Sequence, residues 1–193
     1  MRIVVMVSGS GTNLQAVLDA VRAARVDVEI AAVGADRPCR GLERAAAAGV
    51  ETFVLPPAEH ADRAQWNRAL QRAVASYAPD RVLFAGFMRI VDAEFVEAFA
   101  GRIVNTHPSL LPSFPGAHAV RDALAHGVKI TGVTVHEVVA DVDAGPILAQ
   151  AAVPVLDGDT EERLHERIKA AERELLVAAL GELARRPALH DAR

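Results

Sequence analysis

Short runs of branched apolar residues alternate along this chain with longer stretches whose apolar positions recur every three or four residues. The first pattern suits strands buried on both faces, and the second suits amphipathic helices. Their alternation predicts βαβ units around a buried parallel sheet. Residues 2–7 (RIVVMV) read as the first strand and 13–24 as its helix. A second strand is expected over 28–33, a short helix over 41–48 and a short third strand over 51–55. Residues 61–77 read as helical and stop before Pro79, which has no N–H to continue a helix. Strands over 81–85 and 102–104 then flank a short helix over 93–99.

The last third changes character. Residues 129–138 and 147–155 are β-rich runs joined by ADVDAGP, a connection too short for a crossover helix, so those two strands are expected to be antiparallel. A closing helix is expected over 159–183, with Asp159 as its N-cap and Glu162 three residues on. The fold expected is α/β in three layers, with a central sheet mostly parallel and antiparallel at its C-terminal end.

Composition narrows the class. A length of 193 residues at 51% apolar content suits one domain with a sizeable core. The net charge of -4 and the lack of a basic run argue against a nucleic-acid partner. No segment approaches the roughly 18 apolar residues of a membrane span, and MRIVVMVSGS is too short and too soon broken to be a signal peptide. A single cysteine, Cys39, excludes an intramolecular disulfide and a cysteine metal cluster. The expected setting is cytoplasmic.

Three stretches carry candidate chemistry. SGSGTNLQAVL joins the first strand to the first helix, where glycines allow backbone amides to approach an anion and the helix N-terminus supplies free N–H groups. Thr12 and Asn13 are candidate caps and side-chain donors. The spacing departs from G-x-G-x-x-G, and no Walker lysine follows, so a phosphate monoester is favoured over a dinucleotide. A tight turn with no ligand would look similar.

NTHPSLLPSFPG follows the fifth strand, placing Asn105 and His107 at the carboxyl rim of the sheet, where ligands of open α/β folds bind. Residues 105 and 107 point to one side in extended chain, so an amide and an imidazole can face one developing negative charge. Pro108 and Pro112 restrict the loop that follows. Such a histidine also serves as an ordinary hydrogen-bonded structural residue.

ADVDAGP carries Asp141 and Asp143, which suit a plain acidic turn or, if the loop folds back, a carboxylate orienting His107 and raising its pKa. No tight metal-ligand spacing is present. On the closing helix Glu172 lies at the edge of the stripe Leu164, Ile168, Ala171, Leu175 and Ala179. A carboxylate there needs a partner or a wet cleft, and sugar hydroxyls or a neighbouring side chain would each serve.

SGSGTNLQ, AGFMRIV, NTHPSLLPSFPG, GVTVHEVVADVDAGPI and the closing helix together resemble the phosphoribosylglycinamide formyltransferases, folate-dependent enzymes of purine synthesis. The resemblance covers nearly the whole chain and implies a Rossmann-like fold in one formyltransferase domain, 1–193. Residues 1–100 would form its phosphate-binding βαβ half, and 101–193 its catalytic and folate-binding half. It implies transfer of a formyl group from 10-formyltetrahydrofolate, as co-substrate, to the amino group of glycinamide ribonucleotide.

Carried over by motif, Asn105, His107 and Asp143 would be catalytic. Gly11, Thr12 and Asn13 would hold the substrate's phosphate, Glu172 its ribose hydroxyls, and Gly86 would line the same cleft. Met88, Arg89, Ile90 and Val91, with Val139, Ala140, Asp141 and the rest of that loop to Asp143, would frame the folate's pterin largely through backbone groups. Arg63 and Arg89 would face the carboxylates of its tail. Lys169 would add a cationic contact near the phosphate or remain a solvated surface lysine. No metal is implied, and the partners would be these two small molecules, with neither nucleic acid nor membrane, for a monomer or a homodimer.

Ala35 and Asp36 depart from a frequent Ser-Asn pair, Glu137 from an aromatic, and Val120 from a second histidine. Two related readings, formyltetrahydrofolate hydrolase and methionyl-tRNA formyltransferase, carry extra domains that this sequence is not expected to supply. A non-catalytic folate- or nucleotide-binding module would need the cleft but not the three polar residues.

Overall fold

The computed structural model describes residues 1–185. Seven strands, β1 (Arg2–Val7), β2 (Glu29–Ala35), β3 (Thr52–Val54), β4 (Arg81–Phe84), β5 (Ile103–His107), β6 (Ile130–Glu137) and β7 (Ile147–Pro154), form one sheet. Its order is β3-β2-β1-β4-β5-β6-β7. The first five are parallel, and β6 runs antiparallel to both β5 and β7. The helices are α1 (Thr12–Arg22), α2 (Arg40–Ala47), α3 (Arg63–Ala75), α4 (Ala93–Ala98), α5 (Ala119–His126) and α6 (Glu161–Arg185).

β1 shows why its run is apolar at every position. Ile3, Val5 and Val7 pack on one side with Leu14 and Val17 of α1 and Leu176 and Leu180 of α6. Val4 and Met6 point to the other side, against Trp66 and Leu70 of α3 and Phe95 of α4. These are helix-covered faces, as parallel sheets require. Burying each such side chain contributes about 1.5–3 kcal/mol against the chain's conformational entropy. The chain winds outward from β1 to β3 and returns to place β4 on the other flank of β1, so the direction of winding switches between β1 and β4. That is where an open α/β sheet leaves a crevice.

Several local expectations are corrected. β5 is longer than expected, so Asn105 and His107 belong to the strand itself. Its parallel pairing with β4 ends at Phe84↔Asn105, but antiparallel pairing with β6 carries the ladder on to His107↔Thr134. α5 was not expected, because two turns following the proline-rich loop show too few apolar repeats, with only Ala119, Val120 and Ala123 buried. Neither Thr12 nor Asn13 caps α1. Gly11 is the N-cap, at φ 66°, and supplies no side-chain bond. On α6 it is Thr160, one residue after Asp159, whose hydroxyl accepts from Arg163 N at 3.3 Å. Asp159 is instead held by Arg167 at 2.7 and 2.8 Å.

Candidate active site

β5 presents Asn105 and His107 on one side of the strand, with His107 almost fully buried. His107 Nε2 lies 2.9 Å from the carbonyl oxygen of Phe114. A carbonyl only accepts, so Nε2 carries a proton and Nδ1 is the nitrogen left for chemistry. Nδ1 is 3.4 Å from Asp143 Oδ2. The 138–146 connection therefore does fold back over the strand ends.

Asp143 is fixed by its backbone and by a bond. Its φ of 55° is left-handed, a costly conformation for a residue with a Cβ. Its Oδ2 also accepts from Gly116 N at 2.8 Å, joining this loop to the end of the proline-rich segment.

A second histidine completes the cluster. His136 faces Asn105 across the β5–β6 ladder, and Asn105 Nδ2 lies 3.2 Å from its Nε2. His136 Nδ1 donates to the Glu137 carbonyl at 2.9 Å, so Nε2 is the lone-pair nitrogen and the amide donates to it. Burial lowers the His136 pKa, outweighing the opposing hydrogen bond to Glu137 and the nearby Asp143 charge, and favours this neutral form. Asp143 Oδ1 lies 3.7 Å away, so the carboxylate sits between the two imidazoles. Sequence reasoning passed over His136. The available signal was a histidine at a buried-looking position of a β-rich run, but its partner is set by strand register.

The loop after β5 is stiffened by more than its prolines. Thr134 Oγ1 donates to Ser109 O at 2.7 Å and accepts from Leu111 N at 3.0 Å. Gln150 Nε2 donates to Leu111 O at 2.8 Å. β6 and β7 thus hold the segment that presents Phe114 O to His107.

At the phosphate-turn candidate, Gly11 is required twice over. Its φ is left-handed, and a Cβ would fall 2.5 Å from Gly41 Cα. Asn13 is buried, and its side-chain Oδ1 has no hydrogen-bond partner. An amide oxygen only accepts, so that atom suits a ligand hydroxyl or N–H, whereas an anion here would be met by N–H groups at the start of α1. Gly86, at φ 77°, ends the β4 side of the crevice, and its carbonyl accepts from Ser8 N at 3.1 Å.

Glu172 is buried on α6, and its Oε1 accepts from Thr106 Oγ1 at 2.5 Å. The neighbouring-side-chain reading therefore holds for one oxygen. Lys169 Nζ pairs with Glu166 at 2.8 Å.

The segment from Met88 to Val91 is split by burial. Met88 and Ile90 are exposed at 74% and 62%, a large apolar area next to the crevice, whereas the Val91 side chain joins the core and offers only its backbone outward. Val139 is partly exposed, and Ala140 and Asp141 are exposed. The Arg63 guanidinium donates to the Ile90 carbonyl. Arg89 Nε donates to Asp36 Oδ2 at 2.7 Å. Among the described residues no cluster of three His, Cys, Asp or Glu side chains is arranged to hold a metal ion, and no helix is long and apolar enough to cross a membrane.

An amide, an imidazole and a carboxylate converge at a sheet rim whose first turn suits an anion. Such a combination can stabilise a developing oxyanion and move a proton. Residues 1–180 match the family model described as formyl transferase, and the chain belongs to that family. It is 55% identical over 183 residues to phosphoribosylglycinamide formyltransferase of Mycobacterium tuberculosis, covering 95% of this chain and 85% of the relative. It is 43% identical over 173 residues to the Escherichia coli enzyme of the same name, covering 89% and 82%. The structure of glycinamide ribonucleotide transformylase 1 from Symbiobacterium toebii superposes with a TM-score of 0.93 at 50% identity, covering 95% of this chain and 87% of that one.

Proposed function

We propose that this site transfers the formyl group of 10-formyltetrahydrofolate to the amino group of glycinamide ribonucleotide. The observation that carries the mechanism is the pairing of His107 Nδ1 with Asp143 at 3.4 Å while Nε2 is committed to Phe114. The substrate amine attacks the formyl carbon, whose carbonyl oxygen becomes an oxyanion. The bond from that carbon to the folate nitrogen then breaks, and the proton lost by the amine goes to the leaving nitrogen. The Asn105 amide has two N–H bonds, one of which goes to His136, so the second is available for the oxyanion. When protonated on both nitrogens during turnover, His107 supplies the other donor through Nδ1, and Asp143, 3.4 Å away, relays the proton. No step calls for a metal or a covalent enzyme intermediate.

The binding roles complete the same proposal. Gly11, Thr12 and Asn13 receive the ribonucleotide phosphate at the start of α1, and Gly86 opens the neighbouring wall. Glu172 turns the oxygen not taken by Thr106 to the ribose hydroxyls. Met88, Ile90 and the backbone of Val91, opposite Val139, Ala140 and Asp141, frame the pterin, while Arg63 and Arg89 meet the tail carboxylates. Residues 1–100 thus supply the phosphate site and one wall of the folate site, and the later half supplies the catalytic set. The partners are two small molecules, for a monomeric or homodimeric enzyme in the cytoplasm.

The test is a coupled assay with 10-formyltetrahydrofolate, run with and without glycinamide ribonucleotide. Folate product only when the acceptor is present supports the transfer. Equal release without the acceptor assigns a hydrolase instead, and release in neither case removes the reading.

A further inference from the structure

The first residue after β2, Asp36, is nearly inaccessible at 2% exposure, yet it meets two arginines whose side chains reach solvent. Its Oδ2 accepts from Arg89 Nε at 2.7 Å and lies 3.1 Å from the Arg37 guanidinium. Burial works against its charge, but the nearby Ser8 hydroxyl, Arg89 and Arg37 outweigh burial and lower its pKa, so the carboxylate is ionised at neutral pH. Ser8 in turn accepts from Met88 N at 2.8 Å through its hydroxyl and donates its own N–H to Gly86 O at 3.1 Å. The contacts form a chain: Asp36 to Arg89, along the backbone to Met88, and from Met88 N to the Ser8 hydroxyl. Oδ1 of Asp36 is buried without a partner, so Arg89 and Arg37 on Oδ2 are its hydrogen-bonded contacts.

We propose that Asp36 is a positioning residue for donor binding: it holds Arg89 by Nε so that the rest of the guanidinium meets a carboxylate on the folate tail. The proposal rests on the folate reading above. A long arginine side chain has many rotamers, and a fixed bond on one edge removes most of them before the ligand arrives. Two nitrogens at the far edge remain in the fork geometry that suits a carboxylate. Because Ser8 begins the turn that also carries Gly11, Thr12 and Asn13, the Met88–Ser8 bond ties the folate-side segment to the phosphate turn.

The test compares the parent chain with Asp36→Asn and Asp36→Ala, using two formyl donors: 10-formyltetrahydrofolate and the equivalent tetrahydropteroate that lacks the glutamate tail. For Asp36→Ala the KM of the tailed donor should rise on the order of tenfold, the size of one charge-assisted hydrogen bond. Asp36→Asn should show a smaller rise, since an amide oxygen still accepts from Arg89. The tail-less donor should bind all three proteins alike, with kcat and the ribonucleotide KM changing far less than the tailed donor's KM. Equal weakening of both donors, or no change for the tailed one, would overturn the proposal. Calorimetric binding of the two donors supplies the same comparison without turnover. A parent chain that binds them yet formylates nothing defeats the proposed reaction alone, while a parent that binds both equally defeats this inference.

Discussion

Asn105 and His136 stand opposite each other in the antiparallel register of β5 and β6, with the amide nitrogen of one 3.2 Å from Nε2 of the other. This contact decides which way the amide points, since a neutral imidazole with Nδ1 already committed can only accept. His136→Phe keeps the bulk and removes the acceptor. Its kcat should fall on the order of tenfold or more through a misaligned oxyanion donor, with both KM values little altered. Steady-state kinetics with each substrate varied in turn check this, and a rise in KM at unchanged kcat would count against it.

His107→Ala removes the proposed oxyanion donor and the group paired with Asp143. Turnover should drop on the order of a hundredfold or more. Asp143→Asn can still accept from Gly116, so the loop should keep its place while activity falls, separating the charge from the fold. Single-turnover rates for the two variants, beside their thermal unfolding, give the answer.

Gly11→Ala tests the phosphate turn as a backbone device. The left-handed φ and the approach to Gly41 leave no room for a methyl group. Stability should fall by about 1–3 kcal/mol in urea unfolding, and ribonucleotide affinity should fall more than folate affinity.

Acid should weaken the fold through histidines. Burial comes first in lowering both His136 and His165 below their ordinary value of 6.5. Below that value the unfolded chain takes up protons that the folded chain refuses. The stability is therefore complete above pH 6.5 and is lost as pH falls from there through the lowered folded-state values. Melting temperature should decline across this interval, and His165→Gln should make the decline shallower. An unchanged slope in that variant would remove His165 from the account.

The layered α/β architecture was legible in the chain because a strand covered on both faces must be apolar throughout, as RIVVMV is. The short ADVDAGP connection likewise dictated an antiparallel pair, since no crossover fits in it. Legibility faded where a contact depends on register or on a distant partner. α5 was missed because two turns carry little periodicity, and the N-cap of α6 was misplaced by one residue because Asp159 found Arg167. Asp36 read as a peripheral departure, whereas the fold makes it the partner of Arg89, 53 positions away.

Sequence by itself determined the layers of the sheet, the glycine turn ahead of α1, and the residue types from which a formyl-transfer site is built. Those are local matters of side-chain period and backbone freedom. Only tertiary structure decided that Asp143 reaches His107, that Phe114 takes the other ring nitrogen, and that His136 holds Asn105. A histidine's usable nitrogen is chosen by whichever acceptor the fold brings to its other one, and no spacing along the chain encodes that choice.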